Sequence, residues 1–280
     1  MHVEDWGMEV LRCKTYPNNT ATEDTGDTMS DLHGRKFKCW AATCGGCGEG
    51  PSREHLVSDC LFPEGAVHVS GFDWCKGETK SIGINGLARQ ILCKTHNSAL
   101  SETDSEAKKA VGLFHRSTPP TKDDPLGDNH VDGHKFERWL LKTAINLSYG
   151  GNLHIGVGMD DSVAGLPSPY LIDVAFGRTV FANQMGAHFL IPEKETLRSP
   201  SEIVTIPLVK DGHIGGFYFE LRSQAVFLNL FPGHAPQTLD TVAGGLELQQ
   251  ALLDAELVCR PPFIATASKG TPISMIRFDW

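Results

Sequence analysis

The chain has 280 residues, of which 40% are hydrophobic and 21% are charged, a composition typical of a globular protein with one large domain or two modest ones. Its net charge of -9 argues against a protein whose whole surface binds nucleic acid. No apolar run approaches the roughly 20 residues that span a bilayer, and Met1–Trp6 lacks the basic start of a secretory signal. We therefore expect a cytoplasmic protein with no membrane partner.

Two polar stretches divide the chain. Residues 1–30 are rich in turn-forming residues and predict an edge segment or a polar N-terminal arm. Residues 117–132 contain three prolines and predict a linker or a long surface loop. Between them lies a cysteine-rich module, residues 31–116, which has eleven basic and ten acidic side chains, whereas the rest of the chain is acidic. This balance leaves nucleic-acid binding by the module open without predicting it.

The last part of the chain, residues 133–280, predicts an α+β domain with a mostly antiparallel sheet. Apolar residues at helical spacing predict one helix over 133–148 and another over 239–257. Lys210–Gly212 is a turn signal and predicts a β-hairpin between the apolar runs on either side. Strands are predicted over residues 153–157, 170–176, 188–191, 203–209, 216–221, 225–230 and 273–278. This half carries no catalytic signature, so ligand sensing, homo-oligomerisation and docking of a protein partner all stay open as its role.

The cysteines are concentrated in the first third of the chain. Seven of the eight lie between Cys13 and Cys93, which favours metal ligands and free thiols over a disulfide framework in a long chain with no export signal. Cys44 and Cys47 flank two glycines, which permit the tight turn that brings two sulfurs onto one metal ion. Cys93 and His96 form a second half-site further along. We predict that these two half-sites, Cys44, Cys47, Cys93 and His96, bind one structural zinc ion.

Other interpretations of the cysteines remain open. The first pair can be unrelated thiols or a redox Cys-x-x-Cys motif, although the βαβ context of such a motif is missing. Cys39, Cys60 and Cys75 have no assignment as ligands, and Cys39 is a candidate substitute for one of the four.

Polar residues suited to catalysis lie between and just after the two half-sites. Glu54 and His55 are adjacent, and on a strand they would point to opposite faces unless the chain bends. Asn85 precedes the second half-site, and Asn97 follows it at the start of a helix predicted to run to residue 110. Three of these residues have a structural alternative: a capping role for His55, a solvated acid for Glu54 and the helix N-cap for Asn97.

At this point the order of residues resembles that of the zinc-supported HNH endonucleases, the ββα-metal family, over about a quarter of the chain. The resemblance implies that His55 is the general base that activates water for attack on phosphorus. It also implies that Glu54 and Asn97 hold a divalent cation, usually Mg2+, and that Asn85 orients the imidazole. A neutral imidazole suits proton abstraction, and carboxylate and amide oxygens suit a hard cation.

The sequence departs from the family pattern in two ways. Glu54 replaces the commoner aspartate, and Asn85 stands eight positions before Cys93, further than the pattern implies. Asp104 is a further acidic group on the predicted helix, and a structural role is the stronger interpretation. The basic side chains that are candidates for phosphate contacts are Arg53, Lys94, Lys108 and Lys109. Two histidines near the linker, read as surface residues rather than metal ligands, are His130 and His134.

The sequence therefore predicts a metal-dependent, HNH-type endonuclease that hydrolyses DNA, or RNA, with structural zinc and catalytic Mg2+. Its expected architecture is a zinc-stabilised ββα-metal module followed by the α+β domain. Bacterial or phage genome defence is the setting that the resemblance suggests. The alternative is a non-catalytic zinc module that binds nucleic acid or a protein partner.

Overall fold

The structure is a computed structural model, and it combines helices with mostly antiparallel sheets in a mixed α+β arrangement. The residues that it describes are 11–14, 39–62, 65–70, 75, 78–114, 129–151, 155, 166–191, 202–210, 213–222, 224–230, 240–241, 256–266 and 274–280.

A nine-stranded sheet is the largest element of the described chain. Its strands run in the spatial order β12-β7-β10-β9-β8-β1-β3-β4, with β11 paired to β8, and every pairing is antiparallel. These strands are β1 (Leu11–Lys14), β3 (Ala66–Ser70), β4 (Lys80–Gly83), β7 (Gly186–Ile191), β8 (Glu202–Lys210), β9 (His213–Leu221), β10 (Gln224–Asn229), β11 (Asp240–Thr241) and β12 (Glu256–Cys259).

Two smaller sheets complete the strands. The first pairs β2 (Pro51–His55) with β5 (Ala88–Cys93) in antiparallel register. The second has β14 (Ser274–Asp279) between β13 (Phe263–Thr266) and β6 (His130–Asp132), the latter in parallel register. The α-helices are α1 (Lys94–Ala99), α2 (Ser101–Phe114), α3 (Gly133–Gly151) and α4 (Pro169–Ala175).

Helix α3 lies at the centre of the molecule and contacts α2, α4, β5 and β7. Its predicted apolar stripe is buried, with Phe136, Trp139 and Leu140 fully inaccessible to solvent. One continuous hydrophobic cluster extends from Cys39 to Phe278, so the cysteine-rich segment and the C-terminal half share a core.

Most strand predictions for the second half agree with the structure. The hairpin predicted at Lys210–Gly212 joins β8 to β9, with Lys210 paired to His213. Residues 170–176, predicted as a strand, form helix α4 instead. The reason is local: the Ser168 hydroxyl accepts a hydrogen bond from the Leu171 amide, and Pro169 occupies the first turn, where its missing N–H costs nothing.

Three further predictions are revised or lie outside the described residues. Leu11–Lys14, within the predicted polar arm, forms β1 and bridges β3 and β8. The single helix predicted from Asn97 is two helices, because α1 ends at Ala99 and α2 begins at Ser101. The predicted linker at 117–132 is described only from 129, and β6 begins at His130. Most of the predicted helix over 239–257 and of the strand over 153–157 is not described, and the described ends of that helix prediction form β11 and β12 instead.

None of the described helices is long and apolar enough to span a bilayer.

Candidate metal centre

The two strands of the β2–β5 pair and helix α1 bring distant cysteines together. Pro51 pairs with Cys93 at the open end of the two strands, and the amide of Lys94 donates to the carbonyl of Gly50. On the other side of β5, the amide of Trp40 donates to the carbonyl of Ile91. The segments before β2 and after β5 are therefore held side by side.

Four side chains from these segments form a cluster that can hold a metal ion such as zinc. The ligand atoms of Cys39, Cys47, Cys93 and His96 all lie within 4.8 Å of one another. Cys39, Cys93 and His96 are buried, whereas Cys47 is exposed. Within the described residues, no other cluster of three or more His, Cys, Asp or Glu side chains has this geometry.

The distances within the cluster fit tetrahedral coordination. The Nδ1 atom of His96 lies 3.3 Å from the sulfur of Cys39, 3.6 Å from that of Cys47 and 3.2 Å from that of Cys93. Ordinary Zn–S and Zn–N bond lengths at the tetrahedral angle place sulfur and nitrogen ligands roughly 3.6 Å apart. Three thiols and one imidazole are the donor set of a closed structural zinc site.

The second half-site is built as a helix start. Cys93 is the N-cap of α1, and its sulfur accepts a hydrogen bond from the backbone amide of His96. This contact fixes the thiol and the imidazole on one side of the first helical turn. The prediction that Cys93 and His96 belong to one site is therefore consistent with their positions.

The first half-site differs from the predicted one, because Cys39 takes the place of Cys44. Residues Ala42–Cys44 form a 3-10 turn, and the thiol of Cys44 lies beside Arg178 rather than in the cluster. Gly45 and Gly46 then adopt left-handed φ values of 71° and 70°, which reverse the chain. The reversal returns Cys47 toward Cys39, so the glycine turn brings together residues on either side of Cys44.

Residues of the C-terminal half cover the cluster. Phe176, which caps the C-terminus of α4, packs against the imidazole of His96 with ring centroids 5.3 Å apart. The same ring packs against Trp40 at 5.9 Å. The site is thus shielded by an element more than seventy residues away in sequence.

No protein-family model matches the chain. Comparisons with curated proteins and with solved structures give no match either. The geometry of the site therefore carries the functional argument alone.

Glu54, predicted to bind a catalytic cation, is part of a buried ionic network instead. Its Oε1 atom lies 2.6 Å from the Nζ atom of Lys142 on α3, whose side chain is 2% exposed. Lys142 also contacts both carboxylate oxygens of Asp104 at 2.8 Å. Burial raises the pKa of Glu54, whereas the two carboxylates outweigh burial and raise the pKa of Lys142.

Asn146 connects this network to the metal centre. Its side-chain amide donates to Glu54 Oε1 and to the carbonyl of His55, at 3.3 and 3.2 Å. Its amide oxygen accepts a hydrogen bond from the indole of Trp40 at 3.1 Å. Asn146 is fully buried, so these bonds link α3 to both sides of the cysteine-rich segment.

His55, the predicted base, points away from Glu54. The side chains of β2 alternate, with Arg53 exposed, Glu54 buried and His55 partly exposed at 19%. The Nδ1 atom of His55 lies 3.9 Å from a carboxylate oxygen of Asp59. Its Nε2 atom is buried and has no hydrogen-bond partner among the described residues.

The two asparagines are not placed as predicted around His55 and a cation. The side chain of Asn85 is exposed, and its backbone carbonyl accepts a hydrogen bond from Arg53. The amide nitrogen of Asn97 donates to the hydroxyl of Ser52 at 2.9 Å. Neither residue contacts Glu54 or His55 through a described hydrogen bond. Asn97 is also not the N-cap of α1, since Cys93 fills that position.

The remaining candidates are placed as follows. Lys94 and Lys108 are exposed, and Lys109 is partly exposed. His130 pairs with Asp279, and His134 packs edge-on against Trp280, so neither joins the metal cluster.

Sequence analysis missed several residues that organise the site. Asn146 and Lys142 lie on α3 and read as part of a helix, and nothing in their spacing relates them to Glu54. Asp59 follows His55 by four positions, a spacing that a strand interpretation does not bring into contact. Cys39, in contrast, was a candidate substitute ligand in the sequence, and it does lie in the cluster.

The free thiols predict a pH dependence for metal binding. Burial raises the pKa of Cys39 to about 12, and partial desolvation of its sulfur raises the pKa of the more exposed Cys47, so these thiols hold their protons near neutral pH. Zinc binds thiolates, so binding must release protons, and affinity should rise with pH. We expect roughly two to three protons released per zinc at pH 7. Calorimetric titration in buffers of different ionisation enthalpy measures this number, and a value of zero would contradict the thiolate site.

Proposed function

We propose that this chain is a zinc-supported, HNH-type nuclease that hydrolyses phosphodiester bonds of DNA, with His55 as the general base. The observation that carries the proposal is the position of His55. It ends a strand that begins beside the metal cluster, and its Nε2 atom lacks a hydrogen-bond partner among the described residues. A general base needs an unengaged nitrogen. Because this atom is buried, the proposal also requires the imidazole to turn outward before water can reach it.

The zinc ion has a structural role in this proposal. Its four ligands are all from the protein, so the coordination shell is closed and offers no position for a substrate. The ion would hold the segment before β2 against the start of α1. The strand that carries His55 is fixed at the same end, because Pro51 of that strand pairs with Cys93.

Asp59 supports the role of His55 better than Asn85 does. The Asp59 carboxylate lies 3.9 Å from Nδ1, on the opposite side of the imidazole from the unpartnered Nε2. A carboxylate that moves to hydrogen-bond distance of Nδ1 would hold the proton there and leave Nε2 free to accept one. Asp59 is therefore a positioning residue in the proposal.

The predicted Mg2+ site does not fit the residues as they are arranged. The Glu54 carboxylate is engaged by Lys142 and Asn146, and it faces the interior without contacting His55. The positive charge of Lys142 already neutralises Glu54, which removes the reason for a divalent cation at that carboxylate. The proposal therefore assigns no step to a cation held by Glu54 and Asn97.

The same observation favours a second candidate function. With Glu54 neutralised, the cysteine-rich segment can be a non-catalytic zinc module that binds nucleic acid or a protein partner. In that case His55 and Asp59 are surface residues of the binding face, and DNA that binds to the protein remains intact.

Plasmid cleavage separates the two candidates. Purified wild-type protein is incubated with supercoiled plasmid, with Mg2+, with Mn2+ and without added divalent metal. We expect nicking or linearisation by the wild type and a loss of about a hundredfold or more in rate for His55→Ala, since general base catalysis contributes roughly that factor. His134→Ala, a partly exposed histidine outside the site, is the matched control and should cleave like the wild type.

Two results would reject the nuclease proposal. If folded, zinc-containing protein does not cleave DNA with any of the metals, the non-catalytic binding module is the function that remains. Equal cleavage by wild type and His55→Ala shows that His55 is not the base.

A further inference from the structure

Two arginines lie close together on the β2–β5 pair and converge on one turn. Arg53 donates a hydrogen bond from Nη2 to the carbonyl of Asn85 at 3.0 Å. Arg89 donates from Nη1 to the carbonyls of Gly86 and Ala88, both at 2.9 Å. Both guanidinium groups therefore gather at the 3-10 turn between β4 and β5.

This arginine pair, Arg53 and Arg89, has no acidic partner among the described residues. Every hydrogen bond that the two guanidinium groups make to the described residues goes to a backbone carbonyl. Burial lowers the pKa of Arg89, and the neighbouring charge of Arg53 lowers it further. The nearest carboxylate in the strand, Glu54, faces inward to Lys142. Two like charges are thus held together without a counter-charge.

The unused donors of the pair favour an anion. A guanidinium group carries five N–H donors, and the recorded contacts use one nitrogen of Arg53 and one of Arg89. The remaining nitrogens have the forked geometry that binds phosphate oxygens in pairs. An anion between the two groups would also remove their mutual repulsion.

The pair lies next to His55 in the register of the strands. Arg53 precedes His55 by two positions on β2, beside a shift in the strand register between Ser52 and Glu54. Arg89 is paired with Glu54 across the strands, and its guanidinium group turns back to the carbonyl of Ala88, the residue paired with His55. A phosphate held by the pair would therefore lie near the end of the strand pair that carries His55.

We propose that Arg53 and Arg89 form a binding site for a backbone phosphate of DNA. The site holds the phosphodiester backbone near the end of the strand pair that carries His55. The inference rests on the proposed function for its choice of ligand, but it concerns binding and not hydrolysis.

Binding of a short fluorescein-labelled DNA duplex tests the site by fluorescence anisotropy. The full chain is used in the His55→Ala background, so that the DNA stays intact, at salt concentrations from roughly 50 to 200 mM. We expect Arg53→Gln and Arg89→Gln each to weaken binding roughly fivefold. Each should also lower the slope of log affinity against log salt by about one.

Three controls make the result specific. Arg277→Gln removes the same charge from an exposed arginine of the β13–β14–β6 sheet and should leave binding unchanged. Arg89→Lys keeps the positive charge but not the paired N–H donors of the guanidinium group, so it should bind DNA more tightly than Arg89→Gln and less tightly than the parent. Zinc content and thermal unfolding check each variant, and Arg53→Gln, at an exposed position, tests the site even if Arg89→Gln fails to fold.

The outcomes separate this inference from the nuclease proposal. Equal affinity and equal salt slope for the parent and the Arg53→Gln, Arg89→Gln double variant would overturn the phosphate site, as would a parent that does not bind DNA at low salt. Cleavage that depends on His55 would still support the nuclease in either case. Loss of binding without any cleavage by the wild type would support the phosphate site and reject the nuclease.

Discussion

Cys39→Ser should remove zinc binding and destabilise the cysteine-rich segment, whereas Cys44→Ser should do neither. Cys39 is buried in the four-residue cluster, and Cys44 lies beside Arg178 outside it. A structural zinc ion contributes on the order of 10 kcal/mol to folding, so loss of one thiolate should cost several kcal/mol. Elemental analysis should give close to one zinc per chain for wild type and Cys44→Ser, and much less for Cys39→Ser.

Thermal unfolding followed by circular dichroism adds the structural readout. Cys39→Ser should unfold at a lower temperature, and a zinc chelator should lower the wild type to a similar value. If Cys39→Ser keeps zinc and Cys44→Ser loses it, the ligand is Cys44, as the Cys-x-x-Cys spacing predicts, and not Cys39. A folded wild-type protein without any metal would refute the site altogether.

The second large effect is expected at Lys142. Replacement by methionine keeps most of the length of the side chain but leaves Glu54 and Asp104 without the cation that they share. Removing one partner of a buried ion pair costs about 3–5 kcal/mol, because an uncompensated charge stays in the interior. Urea unfolding of Lys142→Met against wild type measures this loss of unfolding free energy.

A charge on the same helix provides the control for Lys142. Lys135 forms an ion pair with Glu102 at 3.0 Å, and its side chain is 34% exposed, so Lys135→Met should cost less than about 1 kcal/mol. The double variant Glu54→Gln, Lys142→Met should recover part of the stability lost by Lys142→Met. If Lys142→Met and Lys135→Met lose the same amount, the network is not a major support of the fold.

The pH dependence of Lys142→Met follows from the same carboxylates. Burial raises the pKa of Glu54 even beside Lys142, and removal of the ammonium group raises it further. A carboxyl group whose pKa is raised in the folded protein stabilises the fold at low pH, and that contribution is lost as pH rises. The deficit of the variant should therefore shrink as pH falls toward the raised pKa of Glu54.

The local patterns of the sequence predicted most of the regular structure. Helix α3 and the hairpin of β8 and β9 follow from apolar periodicity and one turn signal, both of which act over a few residues. Helix α4 was mistaken for a strand because Tyr170–Phe176 is a short apolar run, a pattern that strands and buried helices share. The Ser168–Pro169 pair is typical of a helix start and is the signal that distinguishes this helix from a strand.

The site was harder to predict because its geometry depends on long-range contacts. Cys93 and His96 are three residues apart, and one helical turn brings them together. Cys39 and Cys47 meet only because a 3-10 turn and two left-handed glycines separate them, which spacing alone does not reveal. Glu54 forms a buried ion pair with Lys142, 88 positions later, instead of a cation site, and no local pattern encodes that pairing.

The three bonds of Asn146 bear on how the chain can be divided. One side chain of the C-terminal half fixes Trp40 beside the metal ligands and the strand that ends with His55. The cysteine-rich segment therefore depends on the C-terminal half and cannot be moved alone into another protein with its function intact. Its transfer to another scaffold requires a helix that presents an amide and an ammonium group at the spacing of Asn146 and Lys142.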